Sequence, residues 1–250
     1  MSRQPLDYEK PPVAQVGRLN ALTMSGWILA INIVVFVLGH YLFPPKVAVE
    51  PSLGARYLVP SPIDSALLFS YATALQHYEV WRYFTFQFVH ANLAHIAGNM
   101  IALMSLGPVI EEYLGRRRFL AFYLLCGCTG PIAFLILSAI SPAGSYPANA
   151  SLVGASAGVF GVLVGAAIVA PDDWVELIFP PTPVKLRTMA IIMLAVAAYT
   201  VFAFGRDSQH NAGGEAAHLG GAVMGWYLIR RPERLDWAET IGPKKRWHPR

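Results

Sequence analysis

Residues 154–170 read GASAGVFGVLVGAAIVA, and how this stretch is read decides the fold. Its first five residues form G-x-S-x-G, the pattern of a hydrolytic serine on the strand-to-helix elbow of an α/β sheet. The surroundings do not suit that elbow. NASLV (149–153) precedes it and VLVGAAIVA follows, without a charge on either side. An uncharged run of that length reads as membrane interior. Ser156 is then either a nucleophile at membrane depth or one more small residue of a glycine-rich helix.

The composition favours the membrane. Only 14% of the 250 residues are charged, where a soluble domain carries about 25%. The mean hydropathy is +0.44, which leaves little room for a separate soluble domain. Cys126 and Cys128 stand two apart in an apolar run, face different ways on a helix, and read as buried small residues. The first apolar run begins more than twenty residues in and is too long for the core of a cleaved signal peptide.

A bilayer-crossing helix needs about 20 apolar residues. Runs at 24–43, 92–110, 119–140, 151–170 and 188–205 come close to that. A sixth, 216–229, is short, with Glu215 and Arg230–Arg231 at its ends. Charge placement supports six spans with both termini cytoplasmic. Arg3, Lys10 and Arg18, then Arg116–Arg118, then Lys185 and Arg187, then the basic end all fall on one side of the alternation. The fold class is therefore all-α and polytopic: a tail over 1–23, a six-helix membrane domain over 24–230, and a basic tail over 231–250. Both tails are expected to be mobile, with KKRWHPR attracted to anionic lipid. The long first loop, 44–91, holds SALLFSYATALQHYEVWRYFTFQF, which predicts short helices resting on the outer leaflet.

Polar residues inside spans are functional candidates. In this topology His95 and Asn99 on span 2, Ser156 on span 4 and His218 on span 6 lie within roughly 5–12 Å of the outer boundary. His95 and Asn99 are four apart and share a helix face. His218 shares a face with Gly221, Ala222 and Gly225, where another helix can approach closely. Gly158, Gly161 and Gly165 form a stripe opposite Ser156, so the serine faces His218 and the stripe packs on another neighbour. Imidazole is the usual base for a serine hydroxyl, and the oxyanion then needs preorganised donors. Asn99, His95 and backbone N–H groups near Ser156 are candidates. Glu215 reads as a solvated end charge rather than a third catalytic member. Glu111 and Arg116–Arg118 read as a charge cluster holding span 2 to span 3. His40 and His210 have no partner nameable from sequence.

These residues resemble the rhomboid family of intramembrane serine proteases. The resemblance covers about residues 80–228. It rests on Trp81–Arg82, on HANLAHIAGN with His90, His95 and Asn99, and on GPVIEEYLGRRRF with Gly107, Glu111 and Gly115. GASAG with Ser156 and AHLGGAVMG with His218 complete it. It implies an endopeptidase cutting single-span or membrane-anchored proteins near the outer end of the spanning segment. Ser156 would attack, His218 would be the base, and His95 and Asn99 would stabilise the oxyanion. Phe160, Gly154 and His90 would support the site, His90 as a loop anchor. It implies no metal and no cofactor, and its partners are substrate and lipid bilayer, not nucleic acid. The membrane expected is a bacterial inner membrane. Two positions depart from the family pattern. Ala157 stands where Gly is common, and its methyl is expected to narrow the oxyanion site slightly. Phe160 stands where Tyr often stacks on the imidazole. Span 5 with the loop 205–214 is expected to gate substrate entry.

Other readings are a non-catalytic rhomboid-like protein that binds membrane helices, and a metalloenzyme using His90, His95 and His218. A small transporter is disfavoured by the absence of paired broken helices.

Overall fold

The computed structural model describes residues 23–49, 56–147, 149–178, 181–206 and 210–240. Arg3, Lys10, Arg18 and the KKRWHPR end lie outside the described residues. The chain is mostly helical. It runs through α1 (Met24–Val37), which continues as a π-helical turn, and a hairpin of β1 (Lys46–Val49) and β2 (Arg56–Val59). Short pieces α2 (Pro62–Leu67), β3 (Phe69–Ser70) and α3 (Arg82–Thr85) follow. Two long helices, α4 (Leu93–Leu114) and α5 (Arg116–Ile140), meet at Gly115. Then come β4 (Ser151–Leu152), α6 (Ser156–Val169), and a hairpin of β5 (Trp174–Ile178) and β6 (Pro181–Lys185). The long helices α7 (Leu186–Phe204) and α8 (Ala212–Arg230) lead to the short α9 (Trp237–Thr240).

Among the described residues, four helices are long and apolar enough to cross a membrane: Met24–Leu42, Leu93–Leu114, Arg116–Ile140 and Leu186–Phe204. Their outer faces carry exposed Ile31, Ile136, Ile191, Val196 and Phe202. Apolar surface on that scale suits lipid and not water. The chain is a polytopic helical membrane protein.

Helix α6 stands at the centre. Every residue from Ala157 to Ala166 is buried, against α4, α5 and α8. A helix apolar all round belongs in an interior. The fourth apolar run was expected to be helical from 151, but α6 begins at Ser156 itself. The preceding residues run extended, and β4 pairs antiparallel with β3 of the first loop. Fourteen residues make a helix about 21 Å long, short of the roughly 30 Å hydrocarbon core. The residues before it form an extended segment paired with the first loop, and Ser156, the first residue of α6, is partly buried. Irregular backbone beside membrane spans is tolerated only when enclosed by protein.

The first loop supplies that enclosure. Alongside its short helices it contains the β1–β2 hairpin, which the sequence reading lacked. Buried Arg82 organises it, donating through Nη1 to Ser65 O and Leu68 O at 2.7 Å each and pairing with Glu79. Trp81 Nε1 donates to Ala66 O at 3.2 Å.

At the far end two expectations change. Glu111 of α4 does pair with Arg116 at the start of α5, at 3.8 Å, but its closer bonds go to α1. It is buried and caps α1, accepting from Met24 N–H at 2.7 Å, Ser25 N–H at 2.9 Å and the Ser25 hydroxyl at 2.7 Å. The first-turn N–H groups of a helix need such acceptors. Arg117 and Arg118 instead reach the C-terminal segment. Arg118 pairs with Asp236 at 2.9 Å, and Arg117 donates to Glu239 O at 3.0 Å. Residues 232–240, expected to be part of a mobile tail, are folded onto α5, with Leu235 and Ala238 in the core. His40 and His210 also have partners, His40 stacking on Phe36 and His210 tilted against Phe204, each at 4.1 Å between centroids.

Candidate active site

His218 lies on the second turn of α8, and its Nε2 is 2.7 Å from Ser156 Oγ at the start of α6. The contact depends on two backbones meeting. A Cβ on Gly221 would fall 1.9 Å from Ala157 O, so only glycine lets α8 press onto α6 one turn below the histidine. The stripe opposite the serine packs elsewhere, Gly158 on Tyr123 and Gly165 on Ile110 and Phe122, although Gly161 also touches Gly221. Phe160, one turn below Ser156, stacks on the His218 ring at 4.3 Å and 11°.

The other ring nitrogen has a partner that the sequence reading placed in solvent. His218 Nδ1 lies 2.9 Å from Glu215 Oε2, and both side chains are largely buried. The reason is the helix boundary. Helix α8 starts at Ala212, not 216, so Glu215 sits inside its first turn, on the same face as His218. Glu215, read from the sequence as a solvated end charge, is instead partly buried and paired with His218. The two partners fix the tautomer: Nδ1–H donates to the carboxylate, and the Nε2 lone pair is left to accept from the Ser156 hydroxyl.

The turn into α6 is built around Gly154. Its φ of +121° is open to glycine and strained for other residues, and a Cβ there would lie 2.7 Å from His95 Cε1 and Nε2. The missing side chain is the space His95 occupies. Gly154 N–H donates to Phe86 O at 3.0 Å, tying the turn to the first loop. Ala155 N–H donates to His90 Nε2 at 3.4 Å. His90 is almost fully buried, its ring 5.0 Å from that of His95. Burial, reinforced by His95 and partly opposed by the Phe88 carbonyl, lowers its pKa to about 3, so it stays neutral as an acceptor needs to be.

Asn99 is buried and donates to His95 O at 3.1 Å, while Asn92 caps α4 by accepting from His95 N–H at 2.9 Å. Ser156, His218, His95, Asn99 and Phe160 all line one cleft of about 680 Å³. Its far wall is Met189 and Met193 of α7. The Ala157 methyl packs at Gly130 of α5, where a Cβ would come within 2.9 Å of it. Among the described residues, no three His, Cys, Asp or Glu side chains converge as metal ligands. His90, His95 and His218 do not form the metal centre considered from the sequence. Glu215 is the site residue that sequence reasoning set aside; its i, i+3 spacing to His218 was the available signal.

The family model for the Rhomboid domain matches residues 77–231. The chain is 31% identical over 150 residues to Rhomboid protease GluP of Bacillus subtilis (strain 168), covering 60% of this chain and 25% of that protein. It is 26% identical over 208 residues to Rhomboid-like protease 3 of Toxoplasma gondii, covering 81% and 66%. It is 29% identical over 161 residues to the mitochondrial Presenilin-associated rhomboid-like protein of Rattus norvegicus, covering 64% and 40%. The chain thus spans between 25% and 66% of the length of these relatives. Their sources include a bacterium, a eukaryotic parasite and a mitochondrial protein, so the expected assignment to a bacterial inner membrane is not supported.

Proposed function

The chain belongs to the rhomboid family, and we propose that it is an intramembrane serine endopeptidase cutting membrane-anchored proteins near the outer end of their spanning segment. The observation that carries this reading is the 2.7 Å contact between His218 Nε2 and Ser156 Oγ inside a cleft at the top of a short buried helix. Six spans with both termini cytoplasmic complete the topology, α6 and α8 being the two spans that carry the site.

In the reaction, His218 Nε2 takes the Ser156 proton as Oγ bonds to the scissile carbonyl carbon, and the carbonyl π pair moves onto oxygen. The oxyanion is held by N–H groups at the α6 N-terminus, the Asn99 amide and His95. Asn99 gives up its bond to the His95 carbonyl to do so. His218 then protonates the leaving amine as the C–N bond breaks. A water entering from the outer side hydrolyses the acyl ester, with His218 again the base. Phe160 keeps the imidazole in plane by stacking, without the hydroxyl a tyrosine would add.

Purified protein in detergent or liposomes should cleave a single-span reporter and be labelled by a fluorophosphonate probe. Ser156→Ala and His218→Ala should each abolish both, and a chelator should change neither. Reporter cleavage that survives Ser156→Ala would sink the reading. Helix binding with no cleavage and no labelling would mark the chain as a non-catalytic rhomboid-like binder.

A further inference from the structure

We propose that Glu215 is a third member of this site, a positioning residue that turns the Ser156–His218 pair into a Ser–His–Glu triad. The proposal rests on the serine protease reading above and adds to it a residue on the first turn of α8. Its basis is a continuous line of contacts: Glu215 Oε2 to His218 Nδ1 at 2.9 Å, then His218 Nε2 to Ser156 Oγ at 2.7 Å. Only 21% of the Glu215 side chain and 16% of the His218 side chain are exposed, so water does little to screen the pair. Among the described residues, His218 is the one ion-pair partner of Glu215. The carboxylate also lies where the N-terminal N–H groups of a helix favour negative charge.

The carboxylate has two effects on its neighbour. It holds the proton on Nδ1, so that the Nε2 lone pair always points at the serine. It also stabilises the imidazolium formed when Nε2 takes the Ser156 proton. The Nδ1 proton stays on the ring throughout; the carboxylate gains no proton and forms no bond.

The groups facing His218 are few. Helix α6 presents Ser156 and Phe160, and α4 presents His95, which interacts electrostatically with His218. Helix α7 lines the cleft with Met189 and Met193, and α5 packs through Thr129 and Ala133 against Gly220. Glu215 is the acidic group among them. Replacing it therefore changes the field at His218 in one direction.

The test uses the full chain in detergent with a single-span reporter. In Glu215→Gln, kcat should fall on the order of 10²-fold with KM unchanged, as expected for a group that acts mainly in the transition state. In Glu215→Ala, acetate added at constant ionic strength should restore part of the rate. A wild-type kcat in Glu215→Gln, with no acetate effect in Glu215→Ala, would reduce Glu215 to a helix-end charge and overturn the proposal. That result is distinct from failure of the protease reading, in which the wild type itself neither cleaves nor takes the fluorophosphonate.

Discussion

Gly154 shows how one residue sets the depth and shape of this site. Its φ of +121° lets the chain turn from β4 into α6, and its bare Cα leaves room for the His95 ring. Gly154→Ala should cost about 1–3 kcal/mol in backbone strain and displace the His95 ring from its place beside Gly154. Fluorophosphonate labelling should slow by about 10²-fold while the protein stays folded, and an unchanged rate would detach His95 and Gly154 from the chemistry. His90 supports the same turn by accepting from Ala155 N–H, which requires a neutral ring. Its folded pKa of about 3 lies below the ordinary value of 6.5. Its contribution to stability is thus full above about pH 6.5 and lost as pH falls toward 3, where folding has to exclude a proton the unfolded chain binds. The melting temperature in detergent should drop between pH 6.5 and 4, and His90→Gln should flatten that drop; equal slopes would refute it. At this scale the sequence is informative wherever a polar side chain stands in an apolar run, as Ser156, His218, His95 and Asn99 do. Glu215 escaped because it looked like the border of the run. Only the true start of α8 shows that it sits on the His218 face.

At the scale of elements, the Ser156–His218 contact depends on two helices touching through their backbones. Gly221 of α8 lies against Ala157 O of α6, one turn from His218. Gly221→Val has to push α8 outward. Overpacking of this kind costs about 1–3 kcal/mol. A widening near 1 Å between base and nucleophile lowers kcat by about 10²-fold. Val223→Ala on the exposed side of α8 is the control and should leave both melting temperature and kcat unchanged. If Gly221→Val melts lower yet keeps its kcat, the packing does not set the catalytic distance. The long helices were legible because lipid demands unbroken apolar runs; α4, α5 and α7 begin and end within a few residues of those runs. The hairpins at β1–β2 and β5–β6 were not, since strands of four or five residues outside the apolar runs leave little pattern. Nor was the start of α6 visible. The uncharged run continues through 151–155, and only the Gly154 dihedral and the β3–β4 pairing make that part a loop.

For the whole molecule, the proposed protease activity raises the question of how a membrane helix reaches a serine on a helix packed against four others. The cleft is walled on one side by Ala102 and Leu106 of α4 and on the other by Met189 and Met193 of α7. Of the helices around it, α7 is held most loosely. It packs on α8 and α6, while Ile191, Ile192, Val196 and Phe202 face outward. Methionine is suited to a surface that must repack around different occupants. The loop joining α7 to α8 runs through His210 and Asn211, both with positive φ, directly into the helix that carries His218. Tilting α7 away from α4 would therefore open the cleft to lipid without disturbing the α6–α8 contact. Such an opening differs from the chemistry in what it admits: a transmembrane reporter needs it, whereas a small fluorophosphonate can enter from the water side. Cysteines introduced by Ala102→Cys and Met193→Cys, joined by a short bifunctional maleimide, should slow reporter cleavage severalfold and leave labelling of Ser156 intact. Equal loss of both would mean the crosslink distorts the site. Cleavage at the uncrosslinked rate would show that substrate enters by another route, and the role of α7 as the gate would fall.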